Sequence, residues 1–250
     1  MSPRLAFALN AAHRAARSTL GWFQGGPAIE RKADASPVTI ADREAERFIR
    51  KEIAASYPDD GVLGEEAGAH GPQDHRWVID PIDGTKSFVA GVPLYATLLG
   101  YEVDGKPVLG VCVFPALGEV LYAEAGEGAF WNGIPCRVSP AGNLPEAVIV
   151  CGSHASMASR GRTEGLLLLA EEALATRTWG DAYGHALVAT GRAAAMLDPV
   201  VARWDVSAMA IIVREAGGRF TNFASEDGIF DEAVSSNGVL HDRVLEAFRR

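Results

Sequence analysis

The stretch Trp77-Val78-Ile79-Asp80-Pro81-Ile82-Asp83-Gly84-Thr85 decides how this chain is read. An aromatic and two β-branched residues read as a short strand. That strand runs directly into two acids. A strand end holds Asp80 rigidly, Pro81 stiffens the turn, and Asp83 can then lie beside Asp80, where like charges repel. Hard divalent cations relieve such repulsion and prefer oxygen ligands. Gly84 and Thr85 supply backbone N–H groups at the opening of a helical turn, a natural phosphate cradle. The same residues also fit a capped turn with surface acids, and a lone acid pair at this spacing decides nothing.

Three further acid-bearing segments stand at the starts or ends of elements. Gly64-Glu65-Glu66 follows the apolar Val62-Leu63. Asp205 follows Trp204 where a helix begins, and Asp42 lies at the start of another. Each has an ordinary reading: Asp42 and Asp205 as helix-start acids, Glu65 and Glu66 as solvated loop charges. Spacing alone does not bring four distant segments together.

Outward from these motifs, the pattern predicts a helix over Leu5–Phe23 with a small-residue face. It predicts a polar loop over Lys32–Ile40 and a second helix from Thr39 or Asp42 with Ala45, Phe48, Ile49 and Ile53 at helical spacing. Leu94–Val103, Val108–Phe114, Val120–Ala125 and Ala129–Trp131 read as a meander. Pro140–Pro145 is the best internal boundary. Beyond it strands at Ala147–Cys151, near Arg177 and at Ala194–Leu197 alternate with helices at Thr163–Ala175, Tyr183–Thr190 and Asp205–Glu215, the last closed by Gly217-Gly218. The expectation is a mixed α/β chain with layered packing. It forms one domain over 1–250, with a strand-rich half (about 1–140) and an α/β half (about 141–250).

The 250 residues are 48% hydrophobic and 22% charged, an ordinary globular balance. No apolar run is long enough to span a membrane, and His13, Arg14 and Arg17 interrupt the apolar residues a signal peptide needs. Cys112, Cys136 and Cys151 form no CxxC and read as reduced thiols, which points to the cytoplasm. The formal net charge is −9 without a dense basic cluster, so nucleic acid is an unexpected partner. The six histidines lack metal-ligand spacing.

Taken together and in this order, Lys32…Ser36-Pro37-Val38-Thr39…Asp42, Gly64-Glu65-Glu66, Asp80-Pro81-Ile82-Asp83-Gly84-Thr85 and Trp204-Asp205 resemble the signature of the inositol monophosphatase family across nearly the whole chain. The resemblance implies an α/β/α/β/α layered fold and a phosphatase dependent on Mg²⁺, with Mn²⁺ as the alternative, two or three ions per active site. It implies a small phosphate monoester as substrate and a homodimer. By motif position, Glu65, Asp80 and the Ile82 carbonyl would hold one metal, and Asp80, Asp83 and Asp205 a second. A third, weaker ion would lean on Glu65. Thr85, hydrogen-bonded to Asp42, would orient the attacking water, and no Ser or Cys nucleophile is needed.

The segment Trp179-Gly180-Asp181-Ala182-Tyr183-Gly184, followed by Ala189-Thr190-Gly191-Arg192, is similar to the histidinol-phosphate phosphatase branch of that family. It falls where family members touch the organic part of the substrate, alongside Asp83, Gly84, Thr85, Asp198 and Asp205. Asp181 and Asp198 could pair with the ammonium and imidazole of L-histidinol phosphate, with Trp179 as an apolar wall. Other readings are an inositol-1-phosphate, fructose bisphosphate or nucleotide phosphatase of the same fold, or a regulatory binding protein.

Overall fold

A stripe of small side chains lets the first helix lie close against its neighbours. In the computed structural model, which describes residues 1–26, 28–31 and 37–249, α1 (Pro3–Thr19) opens on Ser2, whose hydroxyl accepts the Leu5 N–H at 3.1 Å. Its Ala8, Ala11, Ala12, Ala15 and Ala16 are buried. The helix expected to reach Phe23 stops at Thr19, after which a turn carries the chain on, with the Trp22 and Phe23 N–H groups donating to the Thr19 carbonyl. The part of the polar loop over Lys32–Ser36 lies outside the described residues. On either side, β1 (Glu30–Arg31) and β2 (Pro37–Val38) form an antiparallel pair. A capping box of Thr39 and Asp42 then starts α2 (Ile40–Ser56).

The strand-rich half is one eight-stranded sheet. It is built from β3 (Gly61–Gly64), β4 (Gly68–His70), β5 (His75–Asp83), β6 (Ala96–Val103), β7 (Lys106–Phe114), β8 (Glu119–Glu124), β9 (Ala129–Trp131) and β10 (Ile134–Cys136), with α3 (Thr85–Val89) between β5 and β6. The order is β10-β9-β8-β7-β6-β5-β3-β4, antiparallel except for β3 beside β5. Adjacent residues on these strands face two different cores, which is why they read as apolar runs and not as clean alternation. Leu99, Val111 and Val113 pack against α1 and α2, whereas Leu98, Cys112 and Phe114 face the other way.

The second half contributes β11 (Val148–Cys151), α4 (His154–Ser159), α5 (Thr163–Glu172), β12 (Ala175–Arg177), α6 (Asp181–Ala189), β13 (Ala195–Asp198), α7 (Arg203–Glu215), β14 (Arg219–Thr221), β15 (Ala233–Ser236) and α8 (His241–Glu246). Its five-stranded sheet runs β12-β11-β13-β15-β14. Ala186, Val188, Met209, Ile212 and Val213 of α6 and α7 fill the space between the sheets, against Leu98 and Phe114 on one side and Val150 and Met196 on the other. Leu166, Leu169, Val244 and Leu245 of α5 and α8 close the outer face. The layers are therefore α/β/α/β/α. The short α4 and α8 and the strands β10, β14 and β15 carry too little periodicity to be visible in sequence.

One close approach fixes the active end. Gly100 and Gly110 face each other across β6 and β7, and a Cβ built on Gly110 would sit 2.3 Å from the Ala208 carbonyl of α7. The absent side chains let α7 press onto the sheet and bring its first turn, with Asp205, to the end of β5.

Candidate active site

Two residues three apart on a regular strand point to opposite faces, so Asp80 and Asp83 could not share a site on an unbroken β5. The strand is broken. Asp80 pairs with Leu98 but Asp83 with Ala96, three steps against two, so one extra residue bulges at Pro81-Ile82. Thr97 Oγ1 donates to the Pro81 carbonyl at 2.8 Å, and the Ile82 N–H donates to Asp80 Oδ1 at 3.1 Å, which keeps the bulge satisfied. Gly84 (φ 76°) then turns the chain into α3.

With the bulge in place, one oxygen from each of Asp80, Asp83 and Asp205 lies within 4.8 Å of the others. Each carboxylate is also tied to backbone. Asp83 Oδ2 accepts the Ala182 N–H at the start of α6 at 2.7 Å, and Asp205 Oδ2 accepts the Ala202 N–H at the start of α7 at 2.7 Å. Helix starts are where a carboxylate is best tolerated. Glu65 follows β3, whose parallel register sets Gly64 against Ile79, and its N–H donates to the Ile79 carbonyl at 3.2 Å. It is thereby placed next to Asp80.

The acids raise one another. Burial pushes the Asp80 carboxyl well above the usual range, and Glu65, Asp83 and Asp205 push it further. Asp83 is raised well above its ordinary value by burial, then by Asp181 and Asp205, against the pull of the Ala182 N–H. Asp205 is pushed up to about 7, chiefly by burial. Asp198, at the end of β13, is raised well above its usual value by burial and by Asp181 and Asp205. This is a donor set of hard oxygens with excess negative charge, which fits a divalent cation.

Beside the trio opens a cleft of about 540 Å³, lined among others by Asp83, Lys86, Gly152, Ser153, Asp181, Asp198 and Asp205. Asp181 begins α6 in the left-handed region (φ 57°), a strain of order 1 kcal/mol. That conformation brings its carboxylate over Gly84, where a Cβ would be 3.1 Å from Asp181 Oδ2. Asp181 is exposed to the cleft, yet the surrounding protein displaces enough water to raise its carboxyl, against the pull of Lys86. Gly180 leaves room for Gly152, whose Cα would be 3.2 Å from a Cβ there.

Two expected contacts are not made. The hydrogen bond between Thr85 and Asp42 is absent: Thr85 Oγ1 donates to the Ile82 carbonyl at 3.0 Å. Asp42 is fully buried, and its Oδ2 accepts from Thr39 N and Oγ1 at 2.8 and 2.7 Å, while Oδ1 has no hydrogen-bond partner among the described residues. The capping box holds Asp42 by one oxygen and turns the other inward. Burial is the main reason its carboxyl is raised. Nor does Trp179 wall the cleft. Thr178 and Gly180 line it, whereas Trp179 is 42% exposed, with the Arg177 guanidinium 5.9 Å from its ring. Backbone direction reverses at each residue of an extended segment, so neighbours of a lining residue face away.

The sequence singles out neither Gly152 nor Ser153, which follow β11; it places His185 on the substrate-side helix, where helical direction could turn it into the core. His185 sits one turn after Asp181, lines the cleft, and bonds Ser235 Oγ through Nδ1 at 2.8 Å. Burial lowers its pKa to about 3. A Gly-Ser pair just past a strand end was the available signal for Gly152 and Ser153.

This fold, with a carboxylate trio beneath an acidic cleft, has known counterparts. A sequence model of the inositol monophosphatase family matches residues 1–250. The chain is 41% identical to a histidinol-phosphatase of Chlorobaculum parvum, over 99% of this chain and 97% of that protein. It is 40% identical to a histidinol-phosphatase of Streptomyces coelicolor, over 87% and 85%. Its structure matches a Thermotoga maritima IMPase with a TM-score of 0.92 at 34% identity, covering 98% of this chain and 96% of that one. The chain belongs to the inositol monophosphatase family, a family of metal-dependent phosphatases. No helix among the described residues is long and apolar enough to cross a membrane.

Proposed function

We propose that the chain hydrolyses L-histidinol phosphate to L-histidinol and phosphate, with Mg²⁺ (or Mn²⁺) at the carboxylate site. The observation that carries the substrate is Asp181: an acid at the cleft, close to Asp83 and Asp198, suits a substrate with an ammonium and an imidazole. Similarity to two histidinol-phosphatases supports it. The same proposal makes the protein a homodimer, on the family resemblance alone, and places it in the cytoplasm, on its free thiols Cys112, Cys136 and Cys151.

Asp80, Asp83 and Asp205 would hold one cation, and Glu65, Asp80 and the Ile82 carbonyl another, with a third leaning on Glu65. Bound metal supplies charge neutralisation and a lowered pKa for water. The chain's own residues do the rest. Gly84 and Thr85 present N–H groups to the phosphoryl oxygens at the start of α3. Thr85 orients the attacking water, which requires its hydroxyl to exchange the Ile82 carbonyl for the inward Asp42 oxygen. The water oxygen bonds to phosphorus as the ester P–O bond breaks, and the proton the water gives up ends on the departing alcohol. Asp181 and Asp198 hold the cationic end of the substrate in the cleft.

The test is kcat/KM for L-histidinol phosphate and for glycerol 2-phosphate in wild type and Asp181→Ala. A charge-assisted hydrogen bond contributes about 1.5–3 kcal/mol, so the first substrate should lose roughly 10–150-fold. The second should change little. Equal losses, or none, would remove Asp181 as the specificity residue and with it the case for histidinol phosphate.

A further inference from the structure

Glu46 lies in the middle of α2, one turn after Asp42, and is 1% exposed. A buried carboxylate needs partners, and those of Glu46 are unusual. Its Oε2 accepts the Glu66 N–H at 2.7 Å. Its Oε1 accepts the Ala67 N–H at 3.1 Å and Arg50 Nε at 2.7 Å. Arg50, one turn further along α2, donates through Nη2 to the Gly68 carbonyl. Two side chains of one helix therefore grip three consecutive residues, the N–H groups of Glu66 and Ala67 in the β3–β4 turn and the carbonyl of Gly68 where β4 begins. That turn begins at Glu65.

The fit is tight on the strand side as well. A Cβ on Gly64 would come within 2.3 Å of Glu46 Oε1 and 2.7 Å of Arg50 Nη2. The glycine before Glu65 is thus required for the carboxylate to pass beneath the turn. With both oxygens of Glu46 engaged, it is not itself a metal donor. Its other neighbour in sequence terms, Asp42, is held separately by Thr39.

We infer that Glu46, braced by Arg50, is a positioning residue that sets the Glu65 carboxylate for metal binding. The inference rests on the reading of Glu65 as a metal ligand. Groups that orient ligands typically change metal affinity about 10–100-fold when removed. Glu46 acts on the backbone of the ligand's turn and not on the ligand side chain, so it would fix where the carboxylate starts from. The negative charge matters too, because Gln in its place would turn an N–H₂ donor toward Arg50 or toward an N–H group.

Binding of Mn²⁺ alone to the full chain, followed by electron paramagnetic resonance, tests this without turnover. E46Q should weaken Mn²⁺ binding about 10–100-fold, and E65Q should weaken it as well. The double variant E46Q/E65Q should bind no more weakly than E65Q, because Glu46 works through Glu65. E46Q binding within about threefold of wild type while E65Q is impaired would overturn the positioning role and leave Glu65 as a ligand. Additive losses would also overturn it, since a merely structural Glu46 would act independently. Wild-type affinity in E65Q would remove the ligand reading and the inference with it. Should E46Q fail to fold, R50K keeps the charge but cannot bridge Glu46 and Gly68 together. It should show a smaller loss that vanishes in the E65Q background, and unchanged affinity in R50K would count against the proposal.

Discussion

Strand β5 carries buried charge toward both of its ends, and the two ends are built oppositely. Near its start, Arg76 Nε donates to Glu102 Oε2 of β6 at 2.9 Å. Arg203 Nε of α7 reaches the same carboxylate at 2.9 and 3.0 Å, and Ser207 Oγ donates to it at 2.8 Å. Glu102 has no exposure and every lone pair has a use. At the far end, Asp80 and Asp83 meet Asp205, two residues from Arg203 on the same helix. Residues two apart on a helix face different ways. No Lys or Arg bonds any of these three acids among the described residues. Neutralised charge holds the sheet and α7 together, whereas charge left uncompensated by the chain is a demand for something from outside it.

The sharpest way to break this comparison is to remove one charge from each end. Asp83→Asn keeps an acceptor for the Ala182 N–H but takes away a cation's ligand. It should lower kcat/KM about 10²-fold or more, since metal stabilisation of a transition state is several kcal/mol, with the fold retained by circular dichroism. Near wild-type turnover would make the trio structural.

Glu102→Gln should do the reverse. Breaking a fully buried ion pair costs about 3–5 kcal/mol, and because Arg76 and Arg203 are partly exposed the loss here should be about 2–3 kcal/mol. The melting temperature reads this loss, and kcat/KM of the folded protein should stay within about threefold. A Glu102→Gln protein of unchanged stability would erase the distinction between the ends.

The smallest effect tests the uncompensated end without any metal. Asp205 is raised from 3.8 to about 7, so between those values the folded chain keeps a proton that the unfolded chain has released. Its contribution to stability is complete at the acid edge of that window and is lost as pH rises through about 7. Asp205→Asn, which cannot ionise, should therefore stabilise metal-free protein by roughly 1–2 kcal/mol at pH 8, a rise of about 2–8 °C, and by much less at pH 5. The buried His185 and His241, lowered to about 3 and about 4, slope the other way and lose stability as pH falls below 6.5. They are present in both proteins and cancel, so the difference between the two melting curves reports the Asp205 charge together with its repulsion of Asp80, Asp83 and Asp198. An equal shift at both pH values would mean its charge is already balanced.

The sequence by itself determined what can be read within a few residues. Trp77-Val78-Ile79 is strand-forming, Asp80 to Thr85 is an acid-rich strand exit into a helical turn, Thr39 and Asp42 cap a helix, and the ordered set of acids marks the family. Only the tertiary structure decided which groups meet. The bulge at Pro81-Ile82 turns Asp80 and Asp83 to one side, because the ladder to β6 counts three residues against two. The facing Gly100 and Gly110 admit α7 and so deliver Asp205, more than a hundred residues away in sequence. Thr85 hydrogen-bonds Ile82 and leaves Asp42, Trp179 stands outside the cleft it was expected to wall, and Glu46 grips the turn that bears Glu65. Propensity, capping and turn chemistry act over a turn or a strand's length. Register, bulges and helix crossings are set by which distant surfaces exclude water together, and no local pattern carries that information.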